Sequence, residues 1–319
     1  MSFATPTVSV VIPAYNAGPL VSTAIRSALA QTFRNLEIVV VDDGSTDDTL
    51  ARVRGFGHPV RAVSVPHGGV PRARNHGMRA AAGRFIVFLD ADDVLEETLI
   101  AQAVDLLERR PDLGFVFCNA RLFRGDSPPT GPCIPAEFFA GAASTIVEHP
   151  LIQIIGAGHF ISSSGLCARR DALLEAGEFD ESLWGSEDFE YWSRLYLKRP
   201  VGLLAEPLVR IRHHVSSMTR QPVKMTPCMA ASRDKVIENC RKNGRDDQIS
   251  IVREFARNSM LSALRHAIGD GKSVEARQLL RQYRGELYGT AWIGLMTLSL
   301  CPPATLRWAA RLSHRMARF

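Results

Sequence analysis

The sequence predicts an α/β fold whose mostly parallel, Rossmann-like central sheet is flanked by helices. Short apolar segments alternate with helical patterns over the first hundred residues, which is typical of βαβ units. Polar motifs directly follow three of these segments, as ligand-binding residues do at the carboxyl ends of parallel strands. With 319 residues, 46% of them hydrophobic, the chain is long enough for a large domain and a smaller appendage.

The predicted elements follow one another in a regular order. Strands are expected at 8–13, 36–41, 60–65, 85–89 and 115–119, and helices at 20–31, 47–54, 73–82 and 99–109. The run from Phe85 to Leu89 is apolar throughout, which is typical of a strand covered on both faces. The stretch from Arg124 to Gly141 is rich in Gly and Pro and predicts a long loop. From about Lys224 the pattern is helical to the end.

Charge is distributed unevenly along the chain. Residues 1–200 hold 18 Lys and Arg against 24 Asp and Glu, whereas residues 201–319 hold 20 against 9. Together with the change to an all-helical pattern, this predicts a domain over residues 1–222 and a helical region over residues 223–319. The positive balance of the second part suggests that it meets an anionic partner.

The final segment, residues 303–319, predicts a basic amphipathic helix. Its apolar side chains alternate at helical spacing with Arg307, Arg311, Arg315 and Arg318. Such a helix is typical of peripheral contact with anionic membranes. The alternative, a helix that packs on its own domain with its arginines in water, stays open.

Several classes of protein are disfavoured. The first residues lack the basic and apolar regions of a signal peptide, and the apolar segment from Ala291 to Cys301 is shorter than the roughly 20 residues of a membrane span. Six cysteines without a Cys-x-x-Cys spacing indicate no zinc site and favour a reducing compartment. We therefore expect a cytoplasmic protein, peripheral on the cytoplasmic face of the membrane if residues 303–319 bind lipid.

Three carboxylates follow the apolar strand in "FIVFLDADD": Asp90, Asp92 and Asp93. Carboxylates this close raise one another's pKa, and a divalent cation among them would keep them ionised. The alternative is a solvated turn in which Asp92 or Asp93 caps a helix that begins near Val94. The stretch alone does not decide between a metal site and a helix cap.

Two further motifs are expected on the same edge of the sheet. In "VVVDDGSTDDT", Gly44 allows a tight turn and Ser45 or Thr46 can cap the next helix, whereas Asp42 is best explained by a donor such as a base NH or a ribose hydroxyl. In "GGVPRARNHGM", Arg72 and Arg74 lie near a helix start, where anions are favoured. A diphosphate is the natural occupant.

Five motifs occur together in an informative order. "VSVVIPAYNAG", "VVVDDGSTDDT", "GGVPRARNHGM", "FIVFLDADD" and "FDESLWGSEDFEYWSRL" resemble the motifs of family 2 inverting glycosyltransferases of the GT-A fold. The resemblance covers about residues 5–220 and leaves out the last hundred residues. It implies that residues 1–222 form a GT-A catalytic domain.

The resemblance also implies roles for individual residues on the donor side. Pro13, Tyr15 and Asp42 would hold the nucleoside, most often uridine in this family. Arg74 would contact the diphosphate or donor sugar, and Asp90 the ribose and sugar. Asp92 would bind the metal, Mn²⁺ or Mg²⁺, for which hard oxygen ligands are suited.

On the acceptor side, Asp188 matches the general base of the family, and Glu187 beside it would orient acceptor or base. Glu190 is the alternative base. The segment "LVRIRHHVSSMTR" resembles the family's Tyr-Arg-x-His segment, with Ile211 in place of tyrosine, and puts His214, with His213 as the alternative, near the metal.

The sequence therefore predicts an inverting glycosyltransferase. Its expected donor is a nucleotide-diphosphate sugar, its acceptor a hydroxyl of a glycan or polyprenyl-linked lipid, and no nucleic-acid partner is expected. A nucleotidyltransferase would need a Gly-rich loop with Arg and Lys after the first strand, which "IPAYNAG" lacks. A non-catalytic binding module would lack the acidic pair or the base, whereas Asp90, Asp92 and Asp188 are all present.

Overall fold

The computed structural model describes residues 5–125, 127–148, 150–155, 162–213, 222–269, 271–287 and 290–300. It divides into two compact units, Met1–His214 and Val215–Phe319. The first unit contains the sheet and the acidic motifs, and the second is built from helices.

Among the described residues, nine strands form one sheet in the order β3-β2-β1-β4-β8-β6-β9-β5, and β7 also pairs with β9. The strands are β1 (Val8–Ala14), β2 (Leu36–Asp42), β3 (Val60–Ser64), β4 (Phe85–Phe88), β5 (Val94–Leu95), β6 (Phe115–Phe123), β7 (Ser144–Val147), β8 (Cys167–Arg169) and β9 (Val201–Arg212).

The first half of the sheet is parallel, as predicted. β1 pairs in parallel with β2 and β4, and β2 with β3. The second half is mixed, because β8 runs antiparallel to β4 and β6, and β5 and β7 run antiparallel to β9. The alternation of strand and helix predicts only the parallel half, since later strands lack that regular spacing.

Helices cover the sheet of the first unit. They are α1 (Gly18–Leu29), α2 (Thr49–Arg54), α3 (Val70–Ala80), α4 (Leu99–Arg109), α5 (Arg170–Ala176) and α6 (Glu187–Tyr196). Alternate residues of β1 and β2, such as Val10 and Val40, are buried in the same core as α1 and α4. Val39 and Val41 point to the other face, where they pack with Ala73 of α3.

Close packing places α3 on the sheet. A Cβ atom at Gly77 would lie 2.3 Å from Cγ1 of Val11 and 3.3 Å from Cγ2 of Val41. Only glycine permits this approach of a helix to two strands. The first half of α3 is thereby held beside the carboxyl ends of β1 and β2, where the acidic motifs lie.

The second unit contains α7 (Pro222–Lys242), α8 (Ile249–Gly269), α9 (Ser273–Gln282) and α10 (Thr290–Leu300). These bounds agree with the helical pattern predicted from about Lys224. Within the described residues, no helix combines the length and apolar character needed to cross a membrane. The predicted basic helix over residues 303–319 lies outside the described residues.

Candidate active site

Three of the predicted motifs meet at one edge of the sheet. In the register of the parallel strands, Ala14 at the end of β1 is opposite Asp42 at the end of β2. Phe88 at the end of β4 is opposite Val11 of β1. The residues that follow these strands, including Tyr15 and Asp90, therefore lie along the carboxyl ends of parallel strands, where ligands of such sheets bind.

Tyr15 is the exposed aromatic residue of this edge. Pro13 is buried within β1, whereas Tyr15 is 46% exposed directly after it. The Tyr15 ring stacks on the His67 ring, with 4.1 Å between centroids and 23° between planes. His67 comes from the loop after β3, and the sequence gives no signal for it, because a lone histidine in "VPHGGV" belongs to no pattern.

The two aspartates after β2 have different partners. The buried carboxylate of Asp42 accepts hydrogen bonds from the Ser45 amide and the Ser64 hydroxyl, both at 3.3 Å. The Asp43 carboxylate accepts the amides of Gly68 and Gly69, both at 2.8 Å, and lies 2.9 Å from Nδ1 of His67. Asp43 thus holds the loop that carries His67 at the edge of the sheet.

Gly44 makes the turn after these aspartates. Its φ angle is +72°, and a Cβ atom there would lie 2.8 Å from the amide nitrogen of His67. The expected tight turn is present, and glycine also permits the close approach of the His67 loop. The cap role in this motif belongs to Asp47, whose carboxylate accepts the amides of Gly18 and Thr49 at the starts of α1 and α2.

Arg74 joins the donor and acceptor motifs. Its buried guanidinium donates from Nη2 to Asp90 at 2.9 Å and from Nη1 to Glu187 at 2.8 Å. Glu187 is the first residue of α6 and lies 113 positions later in the chain. The arrangement brings together three of the predicted site residues and puts Asp188 beside them.

The charges in this cluster are strongly coupled. Burial disfavours the charged guanidinium, but Asp90, Glu187 and Asp188 more than offset this effect and raise the pKa of Arg74. Arg74 Nε and Glu187 Oε2 are buried without a hydrogen-bond partner in the described part of the chain. Such atoms are uncommon in folded proteins, and both belong to residues that were predicted to lie in the site.

Asp188 has the properties expected of a base near neutral pH. Burial and the neighbouring Glu187 charge raise its pKa to about 7, although Arg74 acts in the opposite direction. The carboxylate accepts the Phe189 amide at 2.7 Å at the start of α6. A half-buried carboxylate with this pKa can accept a proton at physiological pH.

Glu190, the alternative base, lies in a different environment. Its side chain is buried, and its carboxylate accepts a hydrogen bond from Nη2 of Arg194 at 2.9 Å. Arg194 also donates to the backbone oxygens of Ala176 and Glu178. This geometry favours Asp188, because Glu190 is held in a structural ion pair on α6.

The acidic turn after β4 does not cap a helix. Val94 and Leu95 form β5, and α4 begins only at Leu99. The alternative in which Asp92 or Asp93 opens a helix near Val94 is therefore wrong, because the chain first pairs with β9.

Asp93 instead supports the turn from inside. Its buried carboxylate accepts the Ser164 hydroxyl at 2.5 Å and the Arg212 amide at 2.8 Å. The same Ser164 hydroxyl accepts the Asp90 amide at 3.0 Å. Burial and the charges of Asp90 and Asp92 raise the pKa of Asp93 well above its usual range. Asp93 is therefore a support for the turn.

Arg212 completes this support. Its Nε donates to the Asp92 carbonyl oxygen at 2.9 Å, and its guanidinium lies 4.3 Å from the centroid of the Phe123 ring. The sequence gives no signal for Ser164, because it follows no strand of the predicted pattern, and it gives Arg212 only as the arginine of the segment that resembles Tyr-Arg-x-His. Both are brought to the acidic turn by strands of the mixed half of the sheet.

The predicted metal ligands are only partly described. Asp92 is half-buried at the acidic turn, whereas His214 lies outside the described residues. No three His, Cys, Asp or Glu side chains are arranged to hold a metal ion in the part of the chain that the structure covers. The carboxylates still suit Mg²⁺ or Mn²⁺, since Mg²⁺ is often held by one or two carboxylates together with substrate phosphates.

Comparison with known proteins agrees with this geometry. The family described as Glycosyl transferase family 2 matches residues 9–142, which include the motifs after β1, β2 and β4. The predicted resemblance to family 2 glycosyltransferases is thereby confirmed for residues 9–142. The chain is 28% identical over 215 residues to a Rickettsia prowazekii protein described as an uncharacterized glycosyltransferase. The match covers 67% of this chain and 66% of that protein, just under two thirds of its length.

Solved structures show the same fold. A fragment of TarS of S. aureus in complex with UDP-GlcNAc superposes with a TM-score of 0.66 at 18% identity, covering 96% of this chain and 92% of that chain. A mannosyltransferase of Pyrobaculum calidifontis in complex with GDP-Man and Mn²⁺ gives a TM-score of 0.57 at 21% identity, covering 96% and 86%. The predicted GT-A fold is thereby confirmed.

Proposed function

We propose that this protein is a glycosyltransferase that moves a sugar from a nucleotide-diphosphate donor, first of all a UDP-sugar, to a hydroxyl of a glycan or lipid-linked acceptor. The transfer inverts the configuration of the anomeric carbon. The observation that carries the proposal is the bridge from Arg74 to Asp90 and Glu187. It joins the edge at which a donor would bind to the residue pair that would receive an acceptor. A site that only binds a nucleotide sugar would not require contacts from Arg74 to both Asp90 and Glu187.

On the donor side, different residues would contact the base, the ribose and the diphosphate of a nucleotide sugar. Tyr15 offers an exposed ring to a base, and Asp42 offers carboxylate oxygens to its NH groups or to a ribose hydroxyl. Arg74 and Asp90 lie further along the same edge, toward the diphosphate and sugar. The structural relatives in complex with UDP-GlcNAc and GDP-Man support a nucleotide-sugar donor of this class.

The proposed chemistry uses Asp188 as the base. Its carboxylate takes the proton of the acceptor hydroxyl while that oxygen forms a bond to the anomeric carbon. The bond from this carbon to the diphosphate oxygen breaks on the opposite face, and the nucleoside diphosphate leaves with the electron pair. Glu187, fixed by Arg74, holds Asp188 and the acceptor in place at the start of α6.

The proposed cofactor is Mn²⁺ or Mg²⁺, held by Asp92 and, outside the described residues, His214. When bound, it would supply positive charge for the departing diphosphate. The Mn²⁺ in the related mannosyltransferase supports this choice. Among the described residues, Asp93, Ser164 and Arg212 hold the backbone of the acidic turn from which Asp92 projects.

A lipid-linked acceptor would lie at a membrane surface. The second part of the chain has the charge for such a surface, with 20 Lys and Arg against 9 Asp and Glu in residues 201–319. We therefore include peripheral contact of residues 303–319 with anionic lipid in the proposal.

The decisive experiment measures nucleotide-sugar binding and turnover. A panel of UDP- and GDP-linked sugars is offered with Mn²⁺ or Mg²⁺ to the wild type and to the Asp92→Ala and Asp188→Asn variants. We expect one donor to be hydrolysed or transferred by the wild type. Asp92→Ala should lose the metal-dependent part of binding, and Asp188→Asn should bind the donor but turn it over at least about a hundredfold more slowly.

Glu178→Gln is the matched control, because Glu178 is an exposed carboxylate paired with Arg79 outside the proposed site. It should behave like the wild type. If no donor binds to the wild type, or if both site variants turn donor over normally, the enzyme proposal is wrong. Binding without turnover by the wild type would instead support a nucleotide-sugar-binding module.

A further inference from the structure

Helix α10 exposes apolar side chains that the other described residues leave uncovered. Ile293 is 59% exposed, Leu298 40% and Leu300 65%. Among the described residues, only three other large hydrophobic side chains are comparably exposed: Tyr15, Leu174 and Val274. Three of these six exposed hydrophobic side chains therefore belong to the eleven residues of α10.

The opposite face of α10 is packed in the ordinary way. Leu295 and Ser299 are buried, and α10 contacts α8 and α9. Trp292 donates from Nε1 to the Leu280 carbonyl oxygen of α9 at 2.9 Å, and the Arg284 guanidinium lies 5.4 Å from the centroid of the Trp292 ring. The helix is therefore anchored by one face, and the exposed apolar face is the other one.

The composition of α10 differs from that of its neighbours. α7, α8 and α9 each carry several Lys, Arg, Asp or Glu, whereas α10 carries none. A surface helix of a water-soluble unit normally presents charged or polar residues on its outer face. An apolar outer face is typical of a contact with another molecule or a membrane.

The sequence after α10 indicates which partner fits. From Thr290 to Phe319 there is no Asp or Glu, and four arginines follow the helix at positions 307, 311, 315 and 318. A partner for this part of the chain must accept apolar side chains and positive charge together. An anionic lipid surface offers both, with acyl chains below a layer of negative headgroups.

We propose that the exposed face of α10, formed by Ile293, Leu298 and Leu300, inserts into the interface of an anionic membrane. The helix is too short to span the bilayer and would lie along its surface, anchored through Trp292 and Leu295 to the rest of the unit. This proposal rests on the membrane contact included in the proposed function and assigns the apolar part of that contact to described residues.

Vesicle co-sedimentation of the full chain tests the proposal. The vesicles contain phosphatidylcholine with or without phosphatidylglycerol, and no donor is added, so that binding is measured apart from catalysis. The double variant Ile293→Gln/Leu300→Gln should bind the anionic vesicles about tenfold more weakly than the wild type, since two apolar side chains no longer enter the interface. Glutamine adds no charge and is favourable in helices.

The matched control is Leu174→Gln/Val274→Gln, which removes two side chains that are 74% and 59% exposed on α5 and α9. It should bind like the wild type. If both double variants bind the anionic vesicles equally well, the proposal for α10 is wrong. If deletion of residues 303–319 nevertheless abolishes binding, those residues by themselves make the membrane contact of the proposed function. A change in oligomeric state of the α10 variant with unchanged vesicle binding would instead assign the face to a second copy of the chain.

Discussion

At the scale of single residues, Asp188 shows how neighbours set the chemistry of a carboxylate. Three acidic residues open α6, but they differ in environment. Glu187 is paired with Arg74 and Glu190 with Arg194, whereas Asp188 is raised in pKa to about 7 by burial and by Glu187. A free aspartate would be too weak a base to share a proton at neutral pH. Its position between a buried acid and a buried arginine therefore makes it the best candidate for the base.

The first prediction concerns the pH dependence of the reaction. A base must be deprotonated to act, so kcat/KM for the donor identified by the panel should fall about tenfold per pH unit below about pH 7. Initial rates from about pH 5 to pH 9 at limiting substrate would measure this limb. A profile that stays flat down to about pH 5 would contradict the role of Asp188.

Ionisation of the Asp188 carboxylate is expected to increase activity but to decrease the stability of the fold. Because the folded-state pKa of Asp188 lies above its ordinary value of 3.8, ionisation destabilises the folded state as the pH rises from about 4 to 7. Asp188→Asn should therefore raise the melting temperature at pH 8 and leave it nearly unchanged near pH 4. This measurement also shows that an inactive variant is folded.

At the scale of elements, α3 connects the two sides of the proposed site. Besides Arg74, it carries Asn75, whose buried amide donates to the Phe179 carbonyl oxygen at 3.0 Å and accepts the Phe179 amide at 2.8 Å. Arg79 on the same helix pairs with Glu178. The segment that leads into α6 is thus held against α3, and Phe179 stacks on Tyr191 of α6.

The second prediction compares two arginines of α3. Arg74→Ala leaves the buried Glu187 carboxylate without its partner and should lower the free energy of unfolding by about 3 kcal/mol. Arg79→Ala removes an exposed ion pair whose side chains are 49% and 52% exposed, and should cost less than about 1 kcal/mol. Urea denaturation measures both. Equal losses would show that the Arg74 bridge is no more important to the fold than a surface pair.

β9 has a similar connecting role for the acidic turn. Its last residue, Arg212, donates its amide to Asp93 and its Nε to the Asp92 carbonyl oxygen. Lysine has no planar guanidinium to make the second bond while stacking on Phe123. The backbone at Asp92 would then lose one of its supports.

The third prediction follows from this contact. Arg212→Lys should raise the concentration of Mn²⁺ needed for half-maximal donor binding by about tenfold, as loss of a residue that orients a metal ligand commonly does. Arg210→Lys is the control, because Arg210 lies on the same strand and pairs with Glu96 instead. Titration of donor binding with Mn²⁺ compares them, and similar curves for the two variants would count against the role of Arg212.

At the scale of the whole molecule, the chain combines a unit that carries the proposed chemistry with a helical unit of opposite charge balance. The acidic motifs of the first unit, including Asp42, Asp90 and Asp188, lie at the proposed site, which would bind a cation and a diphosphate sugar. The second unit has an excess of Lys and Arg over Asp and Glu, and it contains the apolar outer face of α10. The simplest interpretation is that the first unit carries out the proposed sugar transfer and the second unit holds the protein at the membrane that contains the acceptor.

The fourth prediction tests this division. Deletion of residues 303–319 should reduce binding to anionic vesicles, while turnover of the soluble donor stays within about twofold of the wild type, because the proposed site lies in Met1–His214. Sedimentation with vesicles at low and high salt, together with released nucleoside diphosphate, measures the two properties. Loss of donor turnover in the truncated chain would show that the two functions are not separable.

The sequence by itself determined the parallel half of the sheet and the positions of the acidic motifs. Apolar runs such as Phe85–Leu89 form strands because burial of their side chains and pairing of their backbones depend mainly on local pattern. The residues directly after such strands, including Tyr15, Asp42 and Asp90, can therefore be placed at one edge without coordinates. Their roles in binding a donor remain predictions of the family resemblance.

Only the tertiary structure decided which of these residues meet. Arg74 contacts Glu187 across 113 positions, and Asp93 contacts Arg212 across 119. Such contacts depend on where the later strands and α6 pack in the folded chain. A local hydrophobic pattern in the sequence does not contain that information. The pKa of Asp188 is decided in the same way, since burial and the surrounding charges exist only after folding. The sequence thus indicates the acidic residues, and long-range packing gives one of them, Asp188, the raised pKa that the proposed base requires.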